Sequence, residues 1–448
     1  MAYWYGYPGP ETRQTTMDSQ DASKDGAARP PRVNAPDRSQ VDPNPRSLDE
    51  LIPEDHEART VWELTETLDM EPLLKQIKAV EGHPGRTPID PRILVALWLY
   101  ATIEGVASAR RLAKLCYRDD PFKWIRGGVN VNHHTLGDFR VQHADWLEEQ
   151  VIQLVAVMLL EGLITLNRVG QDGMRVRASA GSGSFKKEET LDKLLVLAQE
   201  QWDRLQKEFE TGAPELSARQ RAARERAARE RLERLQRAKE EQQKIAAARE
   251  ARKKEDGGNA RASFTDPESR KMKMADGGFR PDYNPQFATD LGGLVIVGTG
   301  LTNAGSDGGQ MDPMLEQIEG NQGQLPDEYY TDGGFSTKDD IEKVGQRGVT
   351  VFTPVKEEEK RLKEGKDPFA PQKGDKPKVA EWRQRMGTPE AKEKYKQRTK
   401  CEWTNAMCRQ RNMWQFTVRG LAKVKAVVWW YVLAHNLLRG VALRAARA

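Results

Sequence analysis

The residues with most chemical potential are acids in costly or well-aimed settings. Asp172 lies in RVGQDGMRVRASA, a β-type run, and shares strand parity with Met174 and Val176, while Arg175 and Arg177 face the other way. A carboxylate on the apolar face of a strand is expensive unless something cationic meets it. Asp332 ends the strand-like EYYT and precedes Gly333 and Gly334, at the carboxyl end where ligands bind in open α/β sheets. The chain has six Asp-Gly dipeptides, at Asp25, Asp172, Asp256, Asp276, Asp307 and Asp332. Asp-Gly is first of all a turn signal, so context must choose among them. Asp276 repeats the DGGF of Asp332 but precedes its strand, which puts it at the wrong end. A third acid, Glu402, sits in EKYKQRTKCEWTNAMCRQRN, where Tyr395, Arg398, Glu402 and Arg409 are spaced three, four and seven apart. At ~100° per residue they fall on one helical stripe, able to bind a metal through Glu402 and phosphates through the cations. Trp403 and Trp414 fall off the stripe and are expected to pack.

Several elements must bring these positions together. Residues 1–46 are rich in Pro, Asp, Ser and Arg and read as a disordered tail. From 47 to 160 the pattern is helical: Ser47 and Thr60 are placed to cap helices, and Pro91 to open one carrying Ile93, Leu94, Leu97 and Tyr100. GGVNVNHHTLGDFRVQH then reads as a turn and a helix, a helix-turn-helix-like outline offering His133, His134 and Arg140 to phosphates or base edges. An ordinary helical bundle with a polar surface would look the same. After the strand of Asp172 the composition changes over residues 183–258. Leu191, Leu195, Ala198, Trp202, Leu205 and Phe209 make a seam with steps of four and three. Gly212 and Pro214 break it, and a second, Arg-rich helix begins at Ser217. Residues 217–256 hold 14 Lys and Arg against 8 Asp and Glu. The reading is an antiparallel helical hairpin inserted into the fold.

Beyond it, YNPQFATD, LGG and LVIVGTG form a β-hairpin, followed by helix, strand, helix, strand and helix. Residues 356–390 are charged, with Gly and Pro, and read as a loop. Without the insert the order is three strands, then helix–strand units, which is that of an α/β ribonuclease-H-like sheet built from residues 161–182 and 259–448. A dinucleotide fold is excluded, because Asn303 stands where the third Gly after Gly298 and Gly300 should be.

The bulk numbers exclude little. A net charge of +4 over 448 residues names no partner. Cys116, Cys401 and Cys408 have no metal-ligand spacing and leave one unpaired, which argues for a reducing, cytoplasmic setting. The apolar runs at 93–103 and 424–438 fall short of the ~20 residues a membrane span needs.

In LDELIPEDHEARTVWEL, GRTPIDPRILVALWLYATIEG, NHHTLGDFR, QDGMRVRASAG, KMADGGFRPDYNPQFATD, TDGGFSTKDDIE and YKQRTKCEWTNAMCRQRN the chain closely resembles bacterial insertion-sequence transposases of the DDE type, in the group with a tyrosine–arginine–glutamate–lysine helix signature. The resemblance implies a DNA-binding helical region and a ribonuclease-H-like catalytic domain that cuts transposon ends and joins them to target DNA. It implies Asp172, Asp332 and Glu402 as catalytic, metal-binding acids, with Tyr395 and Arg398 in support. Two divalent ions, Mg²⁺ or Mn²⁺, are the expected cofactors, and DNA and a second copy of the chain the expected partners. Arg409 departs from the signature's Lys, and Pro285 falls inside a strand that should be interior, where a bulge would accommodate it. The competing reading is an inactive, domesticated DNA-binding descendant.

Overall fold

The computed structural model describes residues 45–77, 87–211, 217–251, 257–274 and 277–448. Residues 1–44 of the expected tail, Gly212 and Pro214, and Asp256 and Asp276 lie outside the described residues. The molecule is mixed α/β with a helical N-terminal region. Its first helices are α1 (Glu57–Glu66), α2 (Glu71–Leu74), α3 (Pro91–Ile103), α4 (Ala109–Arg118), α5 (Asp120–Arg126), α6 (His133–Gln142) and α7 (Ala144–Leu160). Their starts follow local chemistry. Asp90 accepts from the Arg92 amide at 2.8 Å beside Pro91, and the Asn132 carboxamide accepts from the His134 and Thr135 amides at 3.0 Å. The cap of α1 is His56, not Thr60: the helix begins one turn earlier than its apolar pattern.

The chain then forms β1 (Arg168–Gly173), β2 (Val176–Arg177) and the short β3 (Phe185–Lys186). Two long helices follow, α8 (Glu188–Glu210) and α9 (Ala218–Ala251). Asp192 pairs with Lys239 and Gln201 with Arg231, so the two run antiparallel, around a small core of Leu191, Ala198, Leu235 and Ala238. Next come β4 (Ala262–Ser263), β5 (Arg270–Lys273), β6 (Phe279–Asp290), β7 (Ile296–Thr302), α10 (Met311–Gln322), β8 (Glu328–Tyr330), α11 (Lys338–Gln346) and β9 (Thr350–Phe352). The charged stretch read as a loop contains α12 (Glu358–Lys363) and α13 (Pro377–Met386). Its charges are used internally: the Asp375 carboxylate is buried between Arg383 at 2.9 Å and Lys338 at 2.7 Å, and the Trp382 indole donates to the Thr353 carbonyl. Composition alone could not separate such a network from a solvated loop. The chain ends with α14 (Pro389–Tyr395), α15 (Thr399–Gln410) and α16 (Leu421–Ala445).

The main sheet runs β7-β6-β1-β8-β9, antiparallel from β7 to β1 and parallel from β1 to β9. β2 and β5 pair with the first half of β6. Pro285 sits in β6 opposite Met174, in the gap between β1 and β2, and its carbonyl accepts from the Met174 amide at 2.8 Å. Only the reciprocal bond is lost there, and the register is the same on both sides; the irregularity in β6 is at Ala288/Thr289, against β7.

One core unites the helices and the sheet, from Ile52 and Trp98 through Val169 and Tyr329 to Leu437. α16 is its axis, packed on α3, α6, α7 and β7. By length and composition α16 is apolar enough to cross a membrane, but 72% of that window is buried inside the protein. It is the apolar-all-round helix of a large core.

Candidate active site

β1 and β8 are parallel neighbours, with Gly170 opposite Tyr330. Asp172 follows two residues later in β1 and Asp332 two residues after Tyr330, just past the end of β8, so both stand at the carboxyl ends of adjacent strands. Parallel neighbours are ~4.8 Å apart, so their carboxylates share one neighbourhood. Asp172 Oδ1 accepts from the Gly173 amide at 2.9 Å, and Oδ2 from Asn405 Nδ2 at 2.8 Å. Asp332 Oδ1 accepts from the Gly334 amide at 2.7 Å, and the Asp332 carbonyl takes the Thr353 hydroxyl at 2.9 Å. Burial, then the Asp332 charge, push Asp172 up to about 6, against the pull of the Arg398 guanidinium.

Glu402 comes from α15, which leans on β1 very closely. A Cβ at Gly170 would stand 2.0 Å from Cys401 Sγ, so only glycine lets the helix approach. Asn405, the residue that touches Asp172, is one turn after Glu402 and on the same helical face. Glu402 itself is exposed and turned to Arg398, whose guanidinium it accepts at 2.6 Å. Burial works against the Arg398 charge, but Tyr395, Glu402 and Asp172 together hold its pKa above the usual arginine value. The Tyr395 hydroxyl donates to the Thr331 carbonyl at 3.2 Å, just before Asp332, and burial raises that phenol to about 12. The expected stripe is therefore split: Tyr395 ends α14, Arg398 lies in a 3₁₀ turn, and Glu402 and Arg409 ride α15.

A cleft of about 740 Å³ opens over the two aspartates. Its walls carry Arg175, Arg177, Lys273, Arg280 and Arg409, with Asp307 beside Asp332. Trp414 does not pack away as expected; it is 49% exposed, lines the cleft and carries the Arg409 guanidinium 4.7 Å above its ring. It is held there by backbone pairing of its own segment with Arg177, at 3.1 and 2.8 Å. Sequence reasoning also missed Asn405 and Asp307; the signals were a polar residue three after Glu402 and one more Asp-Gly.

Arg140, expected on a DNA-facing surface, is buried instead. It is 4% exposed, donates to the Ala107 carbonyl at 2.5 Å, reaches the Thr417 hydroxyl at 3.3 Å and lies 4.5 Å over the Trp98 ring. Burial lowers it to about 10. It ties the N-terminal helices to the segment before α16, its guanidinium committed to buried partners. His133 and His134 remain at the surface at the start of α6, with ring centroids 4.1 Å apart.

Among the described residues no three His, Cys, Asp or Glu side chains are arranged to hold a metal ion as they stand. The donor chemistry nevertheless fits a hard divalent cation: carboxylate oxygens at strand ends, an Asp172 whose charge burial disfavours, and on the neighbouring helix a Glu402 engaged in a partly exposed ion pair. Two family models match the chain, a transposase domain (DUF772) over residues 46–142 and a transposase DDE domain over residues 252–437. The chain belongs to the DDE transposases of insertion sequences. No curated protein and no solved structure matches it. Asp332, Tyr395, Arg398, Glu402 and Arg409 lie inside the matched DDE segment, whereas Asp172 precedes it. For this transposase, then, Asp172 is tied to the others by the pairing of β1 with β8 and by the Asn405 hydrogen bond from α15.

Proposed function

We propose that this transposase binds the ends of its element, cleaves them by metal-dependent phosphodiester hydrolysis and joins the freed 3′ ends to target DNA by transesterification. Asp172, Asp332 and Glu402 are its catalytic, metal-binding acids. The observation that carries the reading is the juxtaposition of Asp172 and Asp332 on parallel strands, inside a cationic cleft, with the Glu402 helix leaning on Asp172. The mixed sheet is compatible with a ribonuclease-H-like fold, to which we assign residues 161–182 and 259–448, with residues 183–258 as a helical hairpin insert.

A pair of bound Mg²⁺ ions, or Mn²⁺ in their place, would activate water or a 3′-hydroxyl and neutralise the leaving oxygen. The chain's own residues do the rest. Glu402 turns from Arg398 toward the aspartates, a side-chain rotation at an exposed position, and Arg398 is released for phosphate. Arg409, with Arg175 and Arg177, steadies the scissile strand, while the Tyr395 hydroxyl holds the backbone before Asp332. The helical region 47–160, with His133 and His134 at its surface, supplies end binding. The hairpin clamps DNA or a second subunit, since synapsis of two ends calls for a homodimer. The chain works in the bacterial cytoplasm, on nucleoid DNA.

The test uses the full chain, its flanking end DNA and Mg²⁺. Wild type nicks and transfers ends; Asp332→Asn and Glu402→Gln bind ends but do not cut. Full cleavage by either variant refutes the site, and a wild-type chain that binds without cutting is the non-catalytic descendant.

A further inference from the structure

Asp307 has no part in the assignment above, yet it stands in the same cleft as Asp172 and Asp332. Its Oδ1 accepts from Asn284 Nδ2 and from Gln286 Nε2, both at 2.7 Å. Those two residues alternate on β6, so they present the same face, and they are 1% and 0% exposed. Two buried amides committed to one oxygen fix the carboxylate and leave Oδ2 with no hydrogen bond from any described residue. The Asp-Gly turn does not use the side chain either; there the Gln310 amide donates to the Asp307 carbonyl.

What Oδ2 faces is set by glycines. A Cβ at Gly334 would stand 2.9 Å from Asp332 Oδ1 and 3.4 Å from Asp307 Oδ2. At Gly173, next to Asp172, a Cβ would stand 2.7 Å from Asp307 Oδ1 and 2.9 Å from Asn284 Oδ1. Space is thus kept at both strand ends on the side to which Asp307 reaches. Asn284 Oδ1 supplies a separate pointer: it is buried, lines this cleft and has no partner among the described residues. An orphaned buried acceptor is costly, and a cation or its bound water that meets it removes that cost.

We infer that Asp307 is a further metal-binding residue of this site, its Oδ2 together with Asn284 Oδ1 adding oxygen donors for a divalent cation held by Asp172 and Asp332. The inference rests on the reading that those two aspartates bind such a cation.

Mn²⁺ binding to the full chain, followed by the free-ion paramagnetic resonance signal, tests it without DNA or turnover. Asp307→Asn keeps the shape and an acceptor oxygen, and is expected to weaken Mn²⁺ binding about 10- to 100-fold, with the metal-free melting temperature little changed. Affinity within twofold of wild type in Asp307→Asn, while Asp172→Asn has lost binding, overturns this inference alone. Undiminished binding by Asp172→Asn overturns the underlying reading, and the role of Asp307 with it. Iron(II)-generated hydroxyl radicals in the wild-type chain give a check independent of any variant. Cuts are expected beside 172, 332 and 307; cuts at the first two without the third count against Asp307.

Discussion

Asp172→Asn should abolish cleavage and yet stabilise the metal-free protein at neutral pH. Burial and the adjacent Asp332 raise Asp172 from 3.8 to about 6. Each unit is worth about 1.4 kcal/mol, so holding this charge above pH 6 costs the fold up to about 3 kcal/mol. The carboxylate is only part-buried, and solvent screening trims that figure. Asn removes the charge but gives up one of the two hydrogen bonds, from Gly173 or Asn405, worth about 1 kcal/mol. The net gain is about 1–2 kcal/mol. The sign follows from linkage. Because the native pKa lies above the unfolded one, the native state binds the proton more tightly between pH 4 and pH 6, and wild-type stability falls across that window as pH rises. The variant lacks this fall, while the other titrating groups are common to both proteins and cancel in the difference. Urea unfolding in EDTA at pH 4.5 and 7.5 measures it. A variant that gains nothing between the two pH values, or loses ground, would show that Asp172 is not strained in the absence of metal.

The approach of α15 to β1 gives a second test. Gly170→Ala drives a methyl into Cys401 and should cost about 1–3 kcal/mol, with a larger proportional loss of end cleavage because the Glu402 helix is displaced. Adding Cys401→Ala removes the sulfur and should restore both melting temperature and cleavage. Arg140→Ala is expected to lower stability by about 2–4 kcal/mol by urea unfolding, through lost buried hydrogen bonds and the Trp98 contact. End-DNA affinity per folded molecule should stay unchanged; a selective loss of binding would return Arg140 to the interface. Trp414→Ala should weaken binding of single-stranded or frayed ends by about 1–3 kcal/mol in fluorescence anisotropy, the value of one stacked base, with blunt duplex affected less. Equal effects on both substrates would mean that Trp414 serves only to hold Arg409.

The sequence by itself determined most of the element types and singled out the candidate acids, because those signals are local. Alternation around Asp172, the DGG after the strand of Asp332, and the apolar-all-round patterns of α3 and α16 can each be read within a dozen residues. Tertiary structure decided what meets what. Asp172 and Asp332 are 160 positions apart in the chain and become neighbours only because β1 and β8 pair in parallel, a register no local pattern specifies. Arg140 looked like a ligand for phosphate because an arginine on a polar helix usually is solvated; Trp98 and Thr417, brought to it by packing, buried it instead. Trp414 looked like core and became cleft wall, since pairing of its backbone with Arg177 left its ring outside. Asp307 was one of six equivalent dipeptides until two amides on β6 took hold of it. Charge and hydrophobicity are properties of a residue, but exposure and partnership are set by distant segments that close the same space.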